Sequence, residues 1–507
     1  MQSQASNPGE GGGKSLYPLA DLLVLRQRIA NLPPDDALKA VEAVVDWLQS
    51  VQDAANLDPG HLYEAVWQLE DALAGRLSRL SHDYLYKARL SDAEEKRLWS
   101  VSHNYWRLLA ATYERCLQPQ SNSGQPVEAV RLALPDLCVR LIAALGAVLK
   151  WACFRHLRAD DDLWRRLGQT LLIAESAHVA GRMTERPNAA ASSPAREYAR
   201  VMIFYAASLD ALPPPEIELA VRLIDHFLSD FVLTAQVRPD SVYWVDLQLA
   251  QPPQRLALMP NPPPPSLRFY QPAEAHARIS ALQNELEQGG NMPAAINPDG
   301  QYDNRRALPV LRHLVTYLAP VPPQRHHDRH RVNHRVTVLN GLVNAFVVFS
   351  EAFGGHPAGL PMVSWLVDNV SRGGLGVVVE GKRPAWLGIG ALLAMQPEGG
   401  SNWLLGVIRR YHRESDTLAR IGIETLARQA LAVELEAPPT AIGTPVLLLE
   451  NHGQPGDVSV ILPPRSFDAQ ETLECSIGGQ RCRLAPIALV EYTADYELAR
   501  YQLSRLA

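Results

Sequence analysis

The spacing of apolar residues changes once along this chain, and that change constrains its fold more than any other feature. From Tyr17 to about Val232 apolar side chains recur every three or four residues, as in DDALKAVEAVVDWLQSVQDA and HLYEAVWQLEDALAGRL. That spacing gathers them on one face of amphipathic helices. EEKRLWSVSHNYWRLLAATYERCL, DLCVRLIAALGAVLKWACFRHL and LPPPEIELAVRLIDHFLSDFV keep the same rhythm, with Pro215 placed to start a helix. Trp47, Trp67, Trp99 and Trp106 fall at helical spacing and are expected in the core. From Arg335 onward the rhythm is different. RVTVLNGLVNAFVVFS, SWLVDNV, LGVVVEG, LLAMQP, WLLGVIRRYHRE and ARIGIETLA are short, apolar or alternating, and punctuated by Gly, Pro and Asn. PVLLLEN, DVSVILPP, TLECSI, QRCRLAPIALVEYTA and YELARYQLSRL continue the pattern, which predicts one or two small barrels.

The stretch between these regimes has its own character. SVYWVDLQLA alternates like a strand, and QPPQRLALMPNPPPPSLRFYQP is too rich in proline for a helix. Short helices are expected near AEAHARISALQNELEQ and NRRALPVLRHLVTYLA. A chain of 507 residues needs more than one core. The expectation is a multidomain α+β protein: a flexible tail over 1–14, an all-α bundle or array over 15–234, and a Pro-rich structured connector over 235–323. An antiparallel β-barrel over 324–432 and a second small β domain over 433–507 complete it.

Composition narrows the function classes. A formal net charge of −6 argues against a protein that coats DNA. No run of eighteen apolar residues suggests a membrane span, and MQSQASNPGEGGGKS lacks the apolar centre of a secretory signal, so the cytoplasm is the expected location. Five cysteines are too few and too scattered for a disulfide framework or a Cys-rich zinc site; Cys475 and Cys482 flank SIGGQR and could face each other across a hairpin. GEGGGKS resembles a phosphate loop only superficially, because Pro8 stands where the loop needs glycine. HExxH, GxSxG and CxxC are all missing, which argues against an enzyme.

Two clusters carry chemistry. QRHHDRHRVNHRV holds His326, His327, His330 and His334 with Asp328, but its four arginines would repel a cation, so no metal is expected. Arg331 and Arg335 form RxxxR against the strand VTVLNG, and Arg325 and Arg329 repeat the spacing just upstream. A guanidinium pairs bidentately with phosphate or with a guanine edge, and its face stacks on a base. Further on, Asn369-Val370-Ser371-Arg372-Gly373-Gly374 reads [DN]xSxxG. Asn369 and Ser371 share a face if the chain is extended, and the glycines let a flat ligand approach.

RVNHR at Arg331 to Arg335, NVSRGG at Asn369 to Gly374 and the downstream WLLGVIRR and RIGIE together resemble the PilZ domain, a bacterial receptor module for cyclic di-GMP. The resemblance covers about a fifth of the chain, from Arg325 to Arg428. It implies an arginine arm ahead of the first barrel strand, with Arg331 and Arg335 on phosphates and guanines and Arg325 and Arg329 as the competing pair. It also implies that Asn369 and Ser371 hydrogen-bond guanine while Gly374 keeps the turn open. The function so implied is a non-enzymatic cyclic di-GMP effector that couples nucleotide binding to the helical region, needs no cofactor and engages a protein partner through that region. The alternative is a PilZ-like interaction adaptor that no longer binds nucleotide. The region over 433–507 lacks both motifs and is read as a degenerate barrel or a dimerisation element.

Overall fold

The computed structural model describes residues 19, 21–52, 54, 57–87, 90–117, 128–186, 189–298, 300–323, 328–350, 359–436, 443–449 and 456–506. GEGGGKS, Arg325, His326 and His327 lie outside the described residues.

The helical rhythm becomes antiparallel packing. The long helices Pro59–Tyr86, Asp92–Leu117 and Leu134–Phe154 form its centre, flanked by Ala37–Gln52, Asp162–Ser176, Pro194–Ala206 and Pro214–His226. Local chemistry sets the starts. Asp58 accepts from the His61 amide at 2.8 Å ahead of Pro59, and Pro214 and Pro215 open the helix Pro214–His226. Leu134–Phe154 is long and apolar enough to cross a membrane by length and composition, yet most of it is buried inside the bundle, where it carries Arg140.

Short strands decorate this region: a hairpin of β1 (Thr184–Arg186) and β2 (Ala189–Ser192), and a sheet of β3 (Val232–Thr234), β4 (Tyr243–Asp246), β5 (Gln254–Arg255) and β6 (Leu267–Gln271) in the order β3-β6-β4-β5. The two helices expected in the Pro-rich stretch form at Ala275–Glu287 and Asn304–Tyr317. Tyr243, Val245, Ile279 and Leu314 share one continuous apolar core with the bundle, so this stretch is built into the helical domain.

The barrel prediction resolves into two closed antiparallel barrels. The first contains β7 (His330–Asn340), β8 (Val363–Ser371), β9 (Gly374–Glu380), β10 (Leu392–Pro397), β11 (Leu404–Arg413) and β12 (Leu418–Ala427), ordered β7-β8-β9-β12-β11-β10 around the wall. Val336, Val338, Trp365, Val367, Val377, Ile421 and Ile423 fill it, so their alternate neighbours face outward. The second contains β13 (Ala430–Leu435), β14 (Thr444–Leu449), β15 (Asp457–Leu462), β16 (Leu473–Ile477), β17 (Gln480–Tyr492) and β18 (Glu497–Arg505) in the order β13-β14-β15-β18-β17-β16. Numbered from its own first strand, each barrel runs 1-2-3-6-5-4, so the second repeats the topology of the first. Cys475 lies directly opposite Cys482, and all five cysteines are free and buried.

One expected strand is corrected. RVTVLNGLVNAFVVFS does not run on as β structure: β7 stops at Asn340, Gly341 takes φ 81°, and Leu342–Phe349 is a helix. A short apolar run fits either state by periodicity. Here burial decides, because Leu342 and Ala345, three residues apart, both enter the cluster between the two barrels.

The helical domain docks on the first barrel at the end of β11. The Arg413 amide donates to the His156 carbonyl at 2.9 Å, and Leu157 bridges to Arg413 in parallel. Asp416 receives Lys96 at 3.0 Å and Arg413 at 2.5 Å. His156 adopts φ 54° and meets the Tyr411 ring edge-on at 5.3 Å. Burial pushes its imidazole down from 6.5 to about 4. Between those values the unfolded chain takes up a proton and the folded joint does not. The stability it contributes is therefore full above 6.5 and is lost as pH falls toward 4. Urea midpoints at pH 7 and pH 4.5 should show a smaller acid loss in His156→Asn, which tolerates the same backbone. An equal loss in both proteins would refute this role, since His103, pushed to about 4 by its own burial, is common to both.

Candidate functional site

The strand register builds the site. Arg331 on β7 lies opposite Asn369 on β8, Asn369 opposite Gly376 on β9, Gly376 opposite Gly422 on β12, and Gly422 opposite Arg410 on β11. Directly opposed residues point to the same side of a sheet. The row alternates with Val377, Ile421 and Ile423, which fill the interior, so its side chains face outward. The row crosses five of the six strands of a closed barrel, so its four inter-strand spacings run about 19 Å along a curved wall. Two exposed guanidinium groups thus bracket a low shelf made of an amide and two glycines, with Gly376 buried under the Asn369 carboxamide and Gly422 half-buried beside the Arg410 stem. Neither Arg331 nor Arg410 makes a hydrogen bond or ion pair through its side chain among the described residues.

The next outward row reinforces the charge. Arg335 lies opposite Leu366, Leu366 opposite Val378, Val378 opposite Arg420, and Arg420 opposite His412. Arg335 is exposed and held in place: its Nε donates to the Ser364 hydroxyl at 2.8 Å, and its terminal nitrogen donates to the Ser364 carbonyl at 3.1 Å. Arg420 is anchored by Glu414 at 2.6 Å. At the turn between β8 and β9, Arg372 is exposed.

Each predicted residue has a definite place. Arg331 and Arg335 both belong to strand β7, so the RxxxR pair is not an arm ahead of the first barrel strand, as the resemblance implied, but part of that strand. Residues 328 and 329 precede it, so Arg331 and Arg335 lie within the strand and Arg329 just ahead of it. Arg331, Asn333 and Arg335 are exposed while Val332 packs inward. Ser371 donates to the Gly374 carbonyl at 3.3 Å and closes the β8–β9 turn. Gly374 is buried, and a Cβ there would overlap the Ile423 carbonyl oxygen; glycine is required for the approach of β9 to β12, which gives this residue a structural role in the turn.

A bulge changes the chemistry around Asn369. Asp368 is the extra residue of β8 against β9, while on the other side two residues of β7, Val332 and Asn333, face it. Its carboxylate accepts from the Asn369 amide at 3.0 Å and lies 3.8 Å from Arg420. The acceptor that an Asn at position 369 gives up is therefore present one residue earlier, where it could take the N1 and N2 hydrogens of a guanine. The Asn369 carboxamide occupies the space a Cβ on Gly376 would fill.

Asp368, Gly376, Gly422 and Arg410 were not singled out in the sequence. Gly376 and Gly422 did leave a trace: glycine inside a strand marks a bulge or a close approach, and both sit within runs of β-branched residues. Among the described residues no group of His, Cys, Asp or Glu converges as a metal site.

Two family models match the chain. One describes the N-terminal domain of the cyclic-di-GMP receptor FimW and covers residues 24–239. The other describes the middle PilZ domain of the same receptor and covers residues 357–431, from just before β8 through β12. No curated protein matches the chain. The fold and the outward row define a PilZ barrel fused to a helical N-terminal domain. The chain belongs to the PilZ-domain proteins, and the helical domain it carries is of the FimW type. The matched PilZ span begins beyond β7, so Arg331 and Arg335 enter the site through strand pairing alone.

Proposed function

We propose that this protein is a non-enzymatic, cytoplasmic effector that binds cyclic di-GMP on the outer face of the first barrel. The observation that carries the reading is the row Arg331–Asn369–Gly376–Gly422–Arg410. It offers guanidinium forks for two phosphates and guanine edges, an amide and a carboxylate for a guanine Watson–Crick edge, and a shelf low enough for a flat base.

The same strand reaches the helical domain. Arg410 ends the row, and three residues later Arg413 bonds the His156 carbonyl. Ligand engaging Arg410 acts on β11 at the joint, which gives nucleotide binding a route to the helical domain and to a protein partner bound there. Differential affinity for two joint geometries, not the route itself, would set the size of the response.

Calorimetric titration with cyclic di-GMP tests the reading. Arg331→Ala and Ser371→Ala should each weaken binding by ten- to a hundredfold, the loss of one charge-assisted contact of about 1.5–3 kcal/mol for the arginine and of the turn geometry for the serine. A wild-type protein that does not bind would leave the adaptor reading in its place.

A further inference from the structure

Between the first barrel and the helical domain lies a cleft of about 1040 Å³, large enough for a drug-sized ligand. Its barrel wall includes Arg410 and His412, one from each of the two outward rows. Its helical-domain wall includes Tyr205, Tyr317, Trp164 and Arg255. Arg410, the last residue of the outward row, therefore also lines this cleft.

The lining has the chemistry of a nucleotide site. Tyr205 is 38% exposed, and its ring is braced edge-on against buried Trp164 at 5.1 Å. Tyr317 is stacked on His313 at 4.4 Å. Arg255 donates one terminal nitrogen to the Pro323 carbonyl at 2.7 Å, which ties down the chain shortly before β7 and leaves its fork without a carboxylate partner among the described residues. Charged lining side chains comprise three guanidinium groups against two carboxylates; Arg158 and Asp161 pair with each other at 2.9 Å, which leaves Arg255 and Arg410 against Asp210.

We propose that the cyclic dinucleotide bridges the two domains: one guanine rests on the barrel shelf while the other half turns past Arg410 into the cleft, with its base on Tyr205 and its charge facing Arg255. This rests on the barrel reading and adds helical-domain residues to the site. Binding then closes the joint through shared contacts, because a ligand touching both walls favours the geometry in which both are present.

Full-length wild type, Tyr205→Ala, Tyr205→Phe, Arg255→Met and Arg331→Ala are titrated with cyclic di-GMP by calorimetry, with thermal melts to establish that each is folded. Tyr205→Ala should bind roughly tenfold or more weakly, as expected when an aromatic platform under a base is removed. Tyr205→Phe should stay within about twofold of wild type, since the stacking face is kept. Arg255→Met should also lose about tenfold. If Tyr205→Ala and Arg255→Met bind like wild type while Arg331→Ala is impaired, the bridge is overturned and the barrel site stands. If wild type itself does not bind, the barrel reading falls and the bridge with it.

Discussion

A Gly376→Val variant should fold normally and lose more than about a hundredfold in cyclic di-GMP affinity, a deficit above ~2.7 kcal/mol. The two halves of that expectation have different origins. The added side chain would collide with the Asn369 carboxamide, the far end of a partly exposed side chain, and not with backbone. Asn369 can swing away at little cost, and valine suits a strand better than glycine does. The site has no such freedom. In the proposed site, displacing Asn369 would remove a guanine contact, and a branched side chain would raise the shelf proposed to carry the base. Gly374→Ala makes the contrast, because its Cβ would meet the Ile423 carbonyl oxygen and force two strands apart; binding lost there would report unfolding as much as recognition. Denaturant midpoints and calorimetry on both variants separate the effects. A Gly376→Val protein that binds like wild type would remove the shelf from the site.

The residues that make this prediction possible also show where the sequence stops being informative. Helical spacing before Val232 and strand punctuation after Arg335 locate the bundle and the barrels because both signals are local: each side chain's environment is set by neighbours two to four positions away. RxxxR and [DN]xSxxG are local in the same sense. The shelf is not. Gly376 meets Gly422 from far along the chain, and Arg331 reaches Arg410 only through three further strands. Register of that kind follows from barrel closure and from the two register shifts around Asp368, neither of which leaves a pattern in a single strand. Leu342–Phe349 escaped for a different reason. It is apolar almost throughout and packs between both barrels, so its periodicity carries no preference for helix over strand. β13 lies in LARQALAVEL, where alanine and arginine dilute the alternation that its neighbours show.

Arg140→Met should be the most destabilising conservative change in the helical domain, costing about 3–5 kcal/mol. Arg140 is 2% exposed and sits on the central helix, with Nε 2.7 Å from Asp136, a terminal nitrogen 2.8 Å from Glu70, and Asp71 at 3.6 Å. Tyr63 donates to Asp136 and Tyr113 to Glu70, so the arginine is a buried cation at the centre of three carboxylates and two phenols. Methionine keeps most of the volume, so the cost isolates charge: the carboxylates lose their counter-ion inside the bundle and repel one another. A loss of this size is a large share of a typical domain's stability, about 5–15 kcal/mol. Adding Glu70→Gln and Asp136→Asn to Arg140→Met should recover much of the loss, since a neutral cluster carries no unpaired charge. Urea unfolding measures all three proteins. A triple variant no more stable than Arg140→Met would mean that Arg140 acts through packing against Trp67, whose ring centre lies 6.0 Å from its guanidinium, and not through its carboxylates.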